Sequence, residues 1–209
     1  MKVAVIGGTG TMGNALASHL SRNYEVIIGS REPSKAAAAA SGIRGASGSD
    51  YKGASRDADV VVVAIPYGAL GLVADLADET SSKLVISVIN PMVPQDGLLK
   101  FAPKEDSAAE ELGRLLPHSR VATAFNNVPP GFLRMDVVPP VDVLIAADSK
   151  DTFGEAAEVV SSIRDMRPLY AGPLTEARNV EAITPLLVNL ARLNGTKALA
   201  TRFVSRQSR

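Results

Sequence analysis

The apolar run Val3-Ala4-Val5-Ile6 passes straight into Gly7-Gly8-Thr9-Gly10-Thr11-Met12-Gly13. Few folds can use a strand that ends in so much glycine. Gly8, Gly10 and Gly13 fit the spacing G-x-G-x-x-G, in which the first glycine makes a tight turn, the second lets backbone approach a pyrophosphate, and the third lets a helix pack on the strand. A helix beginning near Thr11 and Met12 would aim the free N–H groups of its first turn at those phosphates. Leu16, Ala17 and Leu20 make that helix amphipathic, and Val26-Ile27-Ile28 supplies a second strand at βαβ distance. A glycine triplet alone also describes an ordinary βα turn. The strand before it and the helix and strand after it point instead to a bound dinucleotide.

The second strand ends in Gly29-Ser30-Arg31, where an NAD site places an acid for the ribose 2′-hydroxyl and an NADP site places an Arg for the 2′-phosphate. Glu32 is the one competing acid. It stands before Pro33, which suits the first turn of a following helix, where a negative charge is also favoured. Lys35 adds positive charge in that turn, and Thr9 offers a hydroxyl from the glycine loop. The residues favour NADP over NAD.

A chain of 209 residues that is 46% hydrophobic can bury one good α/β core and is short for two full domains. Lys plus Arg equal Asp plus Glu, so the net charge is zero, which argues against nucleic acid or an anionic membrane as partner. Cysteine is absent, which excludes disulfides, thiol catalysis and thiolate metal sites. The two histidines, His19 and His118, fall in no ligand-spaced cluster and read as structural, with His19 near the surface of its helix; no metal is expected. Met1-Lys2 leads directly into the first strand and apolar runs are of strand length, so a cytoplasmic protein is expected.

Lys35 to Ala40 is alanine-rich and helical, and Ser41 to Asp50 reads as a mobile Gly/Ser connection. The β-branched run from Val60 through Ala64 and Ile65 to Pro66, and the run from Lys83 to Asn90-Pro91, are strands of a parallel sheet buried on both faces. Each ends in proline at the carboxyl edge, where such sheets bind ligands. Ser107-Ala108-Ala109-Glu110 is a capping box that opens a helix to Leu116. Arg120 to Phe125 is a further strand, ending in Asn126-Asn127-Val128-Pro129-Pro130. Val141 to Ala147 and Arg167 to Tyr170 add sheet around a helix from Asp151 to Arg164. A last helix runs from Thr175, its N-cap candidate, to Asn194-Gly195. Val180, Ile183, Leu187 and Leu190 bury one face as core or homodimer packing, and Pro185 should bend the helix. The expectation is a doubly wound, mainly parallel Rossmann-like α/β domain over 1–172, with a small helical C-terminal part over 173–209.

The glycine loop with Gly29-Ser30-Arg31, Ile65-Pro66-Tyr67, Asn90-Pro91-Met92-Val93-Pro94, the Arg167-to-Leu174 segment Arg-Pro-Leu-Tyr-Ala-Gly-Pro-Leu and the helix Val180-Glu181-Ala182-Ile183-Thr184-Pro185-Leu186-Leu187 resemble the coenzyme F420-dependent NADP oxidoreductases. The resemblance spans nearly the whole chain, and its most specific part is the Arg167 segment with the Thr-Pro-Leu helix. It implies a Rossmann-like domain holding NADP and a deazaflavin, coenzyme F420, lying across the nicotinamide. Carried over by position, Thr9, Ser30, Arg31 and Lys35 would meet the 2′-phosphate. Ala64, Ile65, Pro66 and Tyr67, with Asn90, Pro91, Met92 and Val93, would line the two rings beside Asn126, Asn127 and Val128. Where the family carries a His-Thr-Ile-Pro run, this chain has Asn126-Asn127-Val128-Pro129. Asparagine can still donate to a ring carbonyl but cannot carry a charge.

Hydride transfer between two bound cofactors needs rings stacked at close approach with water excluded, and no protein acid or base; no catalytic side chain is therefore assigned. No Tyr-x-x-x-Lys pair occurs among the four tyrosines, which weighs against a short-chain reductase of carbonyls. Two other readings stay open on sequence. One is an NADPH-dependent reductase of an imine, a flavin or a ferric chelate, with Tyr67 or Asn126 as donor. The other is a non-catalytic NADP-binding redox sensor.

Overall fold

Val60–Val63 is buried at every residue because both faces of its strand are covered. The computed structural model describes residues 1–135 and 137–204. Strands β1 (Lys2–Ile6), β2 (Glu25–Gly29), β3 (Ala46–Ser49), β4 (Val60–Val63) and β5 (Leu84–Ser87) lie in one sheet. A hairpin of β6 (Met92–Gln95) and β7 (Leu98–Phe101) leaves that sheet, and β8 (Arg120–Thr123) rejoins it. The sheet order is β3-β2-β1-β4-β5-β8, all pairs parallel. This is the doubly wound order, with its switch point between β1 and β4.

Alternation along each strand divides the core in two. Val3, Val5, Ile28, Val62 and Ile86 face one side, packing on α1 (Thr11–Leu20) and α2 (Pro33–Ser41). Ala4, Ile6, Ile27, Val61 and Val63 face the other, towards α3 (Tyr51–Asp57) and α4 (Ala108–Leu115). The capping box on α4 forms as read. Ser107 Oγ accepts the Glu110 N–H at 3.1 Å and donates to the Glu110 carboxylate at 2.7 Å.

Beyond β8, strand β9 (Val141–Ala146), helix α5 (Lys150–Ser161) and strand β10 (Met166–Gly172) form a separate parallel pair. The pair is stitched to the sheet by an antiparallel bridge between Ala122 and Ala147. A final helix, α6 (Ala177–Leu193), runs through Pro185 without a break.

Several expectations are corrected. Ser41 to Asp50 is not a plain connection, since Ala46–Ser49 is the edge strand β3. Its residues are small because α2 lies directly on it: a Cβ on Gly48 would sit 2.4 Å from the Ala36 carbonyl carbon. His19 is buried, and its Nε2 donates to the Leu133 carbonyl at 2.7 Å. Thr175 is not an N-cap but lies inside a 3-10 turn, Leu174–Glu176, with Glu176 as the capping position of α6. The β6–β7 hairpin has no counterpart among the expectations from sequence, although Asp96-Gly97 at its tip, both at positive φ, is a turn signature.

Candidate functional site

The glycine loop is tighter than its motif requires. Gly7, one residue before the triplet, takes the left-handed turn at φ 83°. A Cβ on Gly13 would lie 2.5 Å from the Gly7 carbonyl oxygen and 2.9 Å from Gly8 Cα, so α1 rests directly on loop backbone. Gly10 is the N-cap and has no side chain to satisfy the helix. The first N–H of α1 to find a backbone acceptor behind it is that of Asn14, on the Gly10 carbonyl at 2.9 Å. The N–H groups of Thr11, Met12 and Gly13 come before it, in the geometry that holds a phosphate.

Next to this helix start, a cavity of about 880 Å³ opens at the carboxyl ends of β5 and β8. Thr11 and Met12 form one wall, Asn90 and Met92 a second, residues 125–131 a third, and α6 with the following segment the fourth. Phe125 makes the turn into the third wall. It is fully buried yet sits at φ 63°, a left-handed conformation that costs a bulky residue about 1–2 kcal/mol. The turn sends the next two side chains in different directions.

Asn126 goes to the cavity. Its amide N–H groups donate to the Ile89 carbonyl at 3.0 Å and to Asn90 Oδ1 at 3.2 Å. The Thr184 hydroxyl lies 2.7 Å from the Asn126 carbonyl and 3.0 Å from Asn90 Oδ1. Asn126 Oδ1 is buried without a partner among the described residues. Both donors of the amide are therefore spent within the protein, holding Ile89 and Asn90 rather than meeting a ring, while α6 is held through the Asn126 backbone carbonyl and Asn90. Asn127 goes the other way: its amide donates to the Asp142 carbonyl at 2.6 Å and to Thr201 Oγ1, and Leu144 N–H donates to its oxygen at 3.3 Å. Asp142 is itself wholly buried and takes a two-pronged bond from Arg167, both arms at 2.7 Å. That bond holds its carboxyl below the ordinary carboxylate range.

Helix α6 is tied down at both ends of the cavity. Glu181, wholly buried, accepts the Ala108 and Ala109 N–H groups at 2.9 and 3.0 Å. Asn189 pairs with the backbone of β7, donating to the Leu99 carbonyl at 2.7 Å and accepting the Leu99 N–H at 2.8 Å. Between these points Leu187 and Val188 face the cavity. Sequence periodicity assigned that stretch to core or dimer packing. Thr184, Arg192 and Lys197 also line the cavity, and none of the three was singled out as a site residue.

At the other end of the glycine loop, a smaller hollow of about 290 Å³ is bounded by Ser30, Arg31, Tyr51, Lys52 and Asp75. Lys35 is outside it, and its ammonium pairs with Glu32 at 2.6 Å. Tyr51, a residue not predicted for the site, stands close enough to Arg31 for that charge to oppose the rise in its pKa that burial causes. Among the predicted ring-lining residues, Asn90, Met92, Asn126, Asn127 and Val128 do meet at the large cavity, joined there by Met12 of the glycine loop, whereas Ala64, Ile65, Pro66, Tyr67, Pro91 and Val93 are outside its lining. Tyr67 donates its phenol to Glu111 at 2.8 Å and accepts the Lys104 N–H at 2.7 Å. The tyrosine offered as a proton donor is thus committed to α4.

A glycine loop on one side of the switch point and a ring-sized apolar cavity on the other define a dinucleotide-dependent oxidoreductase. Comparison with known proteins narrows the class. The family described as "NADP oxidoreductase coenzyme F420-dependent" matches residues 2–91. The F420-dependent NADP reductase of Methanothermobacter thermautotrophicus is 37% identical, in an alignment covering 98% of this chain and 95% of that one. The enzyme of the same name from Methanocaldococcus jannaschii is 34% identical over 91% and 92%. The chain belongs to this family. The crystal structure of a candidate F420-dependent NADP-reductase from Arthrobacter sp. fb24 superposes with a TM-score of 0.86 at 23% identity, over 98% of this chain and all of that one. An imine reductase from Bacillus cereus shares the fold at a TM-score of 0.69 and 19% identity, over 93% and 63%.

Proposed function

We propose that this protein moves a hydride between NADP(H) and the deazaflavin coenzyme F420. The single observation that carries the reading is the cavity at the carboxyl ends of β5 and β8, which adjoins the phosphate-binding start of α1 and whose apolar walls include Met12, Met92, Phe125, Val128 and Leu187. Bound NADP(H) supplies or accepts the hydride at C4 of its nicotinamide, and the deazaflavin does so at C5. The protein's part is to hold two planar rings face to face and keep water out. Its polar groups suit that part, since the Asn90, Asn126 and Thr184 bonds are made within the protein and fix the wall instead of supplying a proton. The commitment of Tyr67 to Glu111 removes the donor that an imine or carbonyl reductase would need there.

In this reading the glycine loop from Gly8 to Gly13 takes the pyrophosphate, and Ser30 and Arg31 take the 2′-phosphate with Tyr51 beside the adenine; Thr9 and Lys35 add a hydroxyl and a charge. Residues 1–172 hold the dinucleotide, and 173–209 complete the acceptor side. Leu186 and Leu193, 55% and 69% exposed on α6, support a homodimer through that helix. Among the described residues no helix is long and apolar enough to cross a membrane, and a cytoplasmic location is the natural one for exchange between two soluble cofactors.

The test is the absorbance of coenzyme F420 in the presence of NADPH, run beside NADH and beside free flavin. Rapid bleaching that requires NADPH is the expected result. NADPH binding with no bleaching of the deazaflavin would overturn the proposal.

A further inference from the structure

The segment from Arg167 to Leu174 is among the most specific parts of the family resemblance, yet none of its residues lines either cavity. Arg167 instead holds Asp142, a residue of β9 that is wholly buried and also lines neither cavity. A buried carboxylate is tolerated only where its oxygens are met by donors. Arg167 supplies two, both at 2.7 Å, and Phe203 N–H supplies another. One arm of the same guanidinium also donates to the Phe203 carbonyl at 2.9 Å. The chain that follows α6 is thereby fastened to the β9–β10 pair by its backbone.

The main chain of Asp142 makes a second set of bonds. Its N–H donates to the Thr201 carbonyl at 3.0 Å. Its carbonyl accepts the Asn127 amide at 2.6 Å and the Thr201 hydroxyl at 3.3 Å, and the Asn127 amide also donates to Thr201 Oγ1. Asp142 thus holds Asn127 on one hand and residues 201–203 on the other. Both lead to the acceptor cavity, because Asn127 belongs to its third wall and Thr196 to Leu199 belong to its fourth. That last stretch is fastened at its start, where Thr196 N–H donates to the Ala191 carbonyl at 2.9 Å. Residues 197–200 form neither helix nor strand. A span tied at its two ends keeps its place only while both ties hold.

We infer that Asp142, clasped by Arg167, is a positioning residue for the reaction. It lies outside the cavity and acts through Asn127 and Thr201, joining two walls so that residues 196–199 stay seated as a strap across the acceptor side. The inference rests on the function proposed above, and it gives the Arg167 segment a part in that function although the segment reaches no ligand cavity. Loosening the clasp lets the strap leave its wall, which weakens capture of the acceptor. The glycine loop and the Ser30–Arg31 hollow lie elsewhere and keep their grip on the dinucleotide.

Three variants test this. Asp142→Asn removes the charge of the clasp, Thr201→Val deletes the hydroxyl that joins Asn127 to the strap, and Thr201→Ser restores that hydroxyl. With NADPH saturating, KM for coenzyme F420 should rise about threefold in Thr201→Val and about tenfold or more in Asp142→Asn. Thr201→Ser should match the wild-type protein, and kcat and the Kd for NADP⁺ should move by less than about twofold throughout. Brief trypsin treatment, read by mass spectrometry of the first fragments, should cut after Lys197 and Arg202 sooner in Asp142→Asn and Thr201→Val than in the other two proteins. An unchanged KM in both of those variants overturns the inference, whatever trypsin does. So does a matching loss of NADP⁺ affinity, which marks a general loosening of the fold, or a Thr201→Ser protein as impaired as Thr201→Val. If Asp142→Asn does not fold, the two Thr201 variants decide alone. Failure of the wild-type protein to bleach F420 while it binds NADPH refutes the proposed function, and this inference with it, before any variant is made.

Discussion

Glu181 couples the fold to pH in a direction opposite to most carboxylates. Its side chain is wholly buried between α6 and the start of α4, and burial pushes its carboxyl from the ordinary 4.5 up to about 7. The N–H groups of Ala108 and Ala109 pull it back, and the charge of Glu110 adds to the rise. A carboxyl whose pKa is higher in the folded protein binds more protons folded than unfolded throughout that window. Stability is therefore fully present below pH 4.5 and lost as the pH rises through 7. A rise from 4.5 to about 7 corresponds to roughly 3 kcal/mol, most of which is lost between pH 5 and 8.

Glu181→Gln removes the titration and keeps the shape. It leaves one of the two α4 N–H groups facing an amide NH₂, a penalty that does not vary with pH. Urea denaturation of both proteins at pH 5, 6, 7 and 8 isolates the effect as a difference, and the wild-type advantage should shrink by roughly 2–3 kcal/mol from pH 5 to pH 8. Asp142 does not interfere, because Arg167 holds its carboxyl below the ordinary 3.8 and so below this window. A difference that stays flat, or one that grows with pH, would refute the reasoning. It would mean that the two N–H groups and the dipole of α4 stabilise the carboxylate more than burial penalises it.

Arg31→Ala should weaken NADP⁺ binding by a factor on the order of tens while leaving NAD⁺ nearly unchanged, as read by parallel titrations; equal losses would remove Arg31 from the 2′-phosphate. In Gly13→Ala the new Cβ meets the Gly7 carbonyl oxygen at 2.5 Å and Gly8 Cα at 2.9 Å. Backbone on both sides cannot step aside, so a loss of about 2 kcal/mol and a Tm lower by roughly 4–8 °C are expected in a thermal scan. Thr184→Val deletes the hydroxyl 2.7 Å from the Asn126 carbonyl; losing that bond, about 1–2 kcal/mol, should raise KM for the deazaflavin and leave the Kd for NADPH alone. Leu186→Asp/Leu193→Asp should halve the mass found by light scattering if α6 is the dimer contact, with far-UV circular dichroism unchanged.

What the sequence disclosed and what it withheld divide along the range of the forces involved. The strands around the switch point were legible because a strand covered on both faces must be apolar at every position, and Val60–Val63 is. Strand β3 was not, because its residues answer to a neighbour: Ala46-Ser47-Gly48-Ser49 is small so that α2 can lie on it, and nothing local in those residues favours an extended chain. The same limit applies at the cavity. Period 3.6 identified an apolar face on α6, but it cannot distinguish a side chain facing another helix from one facing a ligand-sized void. Leu187 is therefore read as packing, and Arg192 and Lys197 carry no reading on sequence. Asn126 shows the limit at the level of single atoms. Its residue type announces two donors and an acceptor, while its capacity to meet a ligand depends on Ile89 and Asn90, which have already taken the donors.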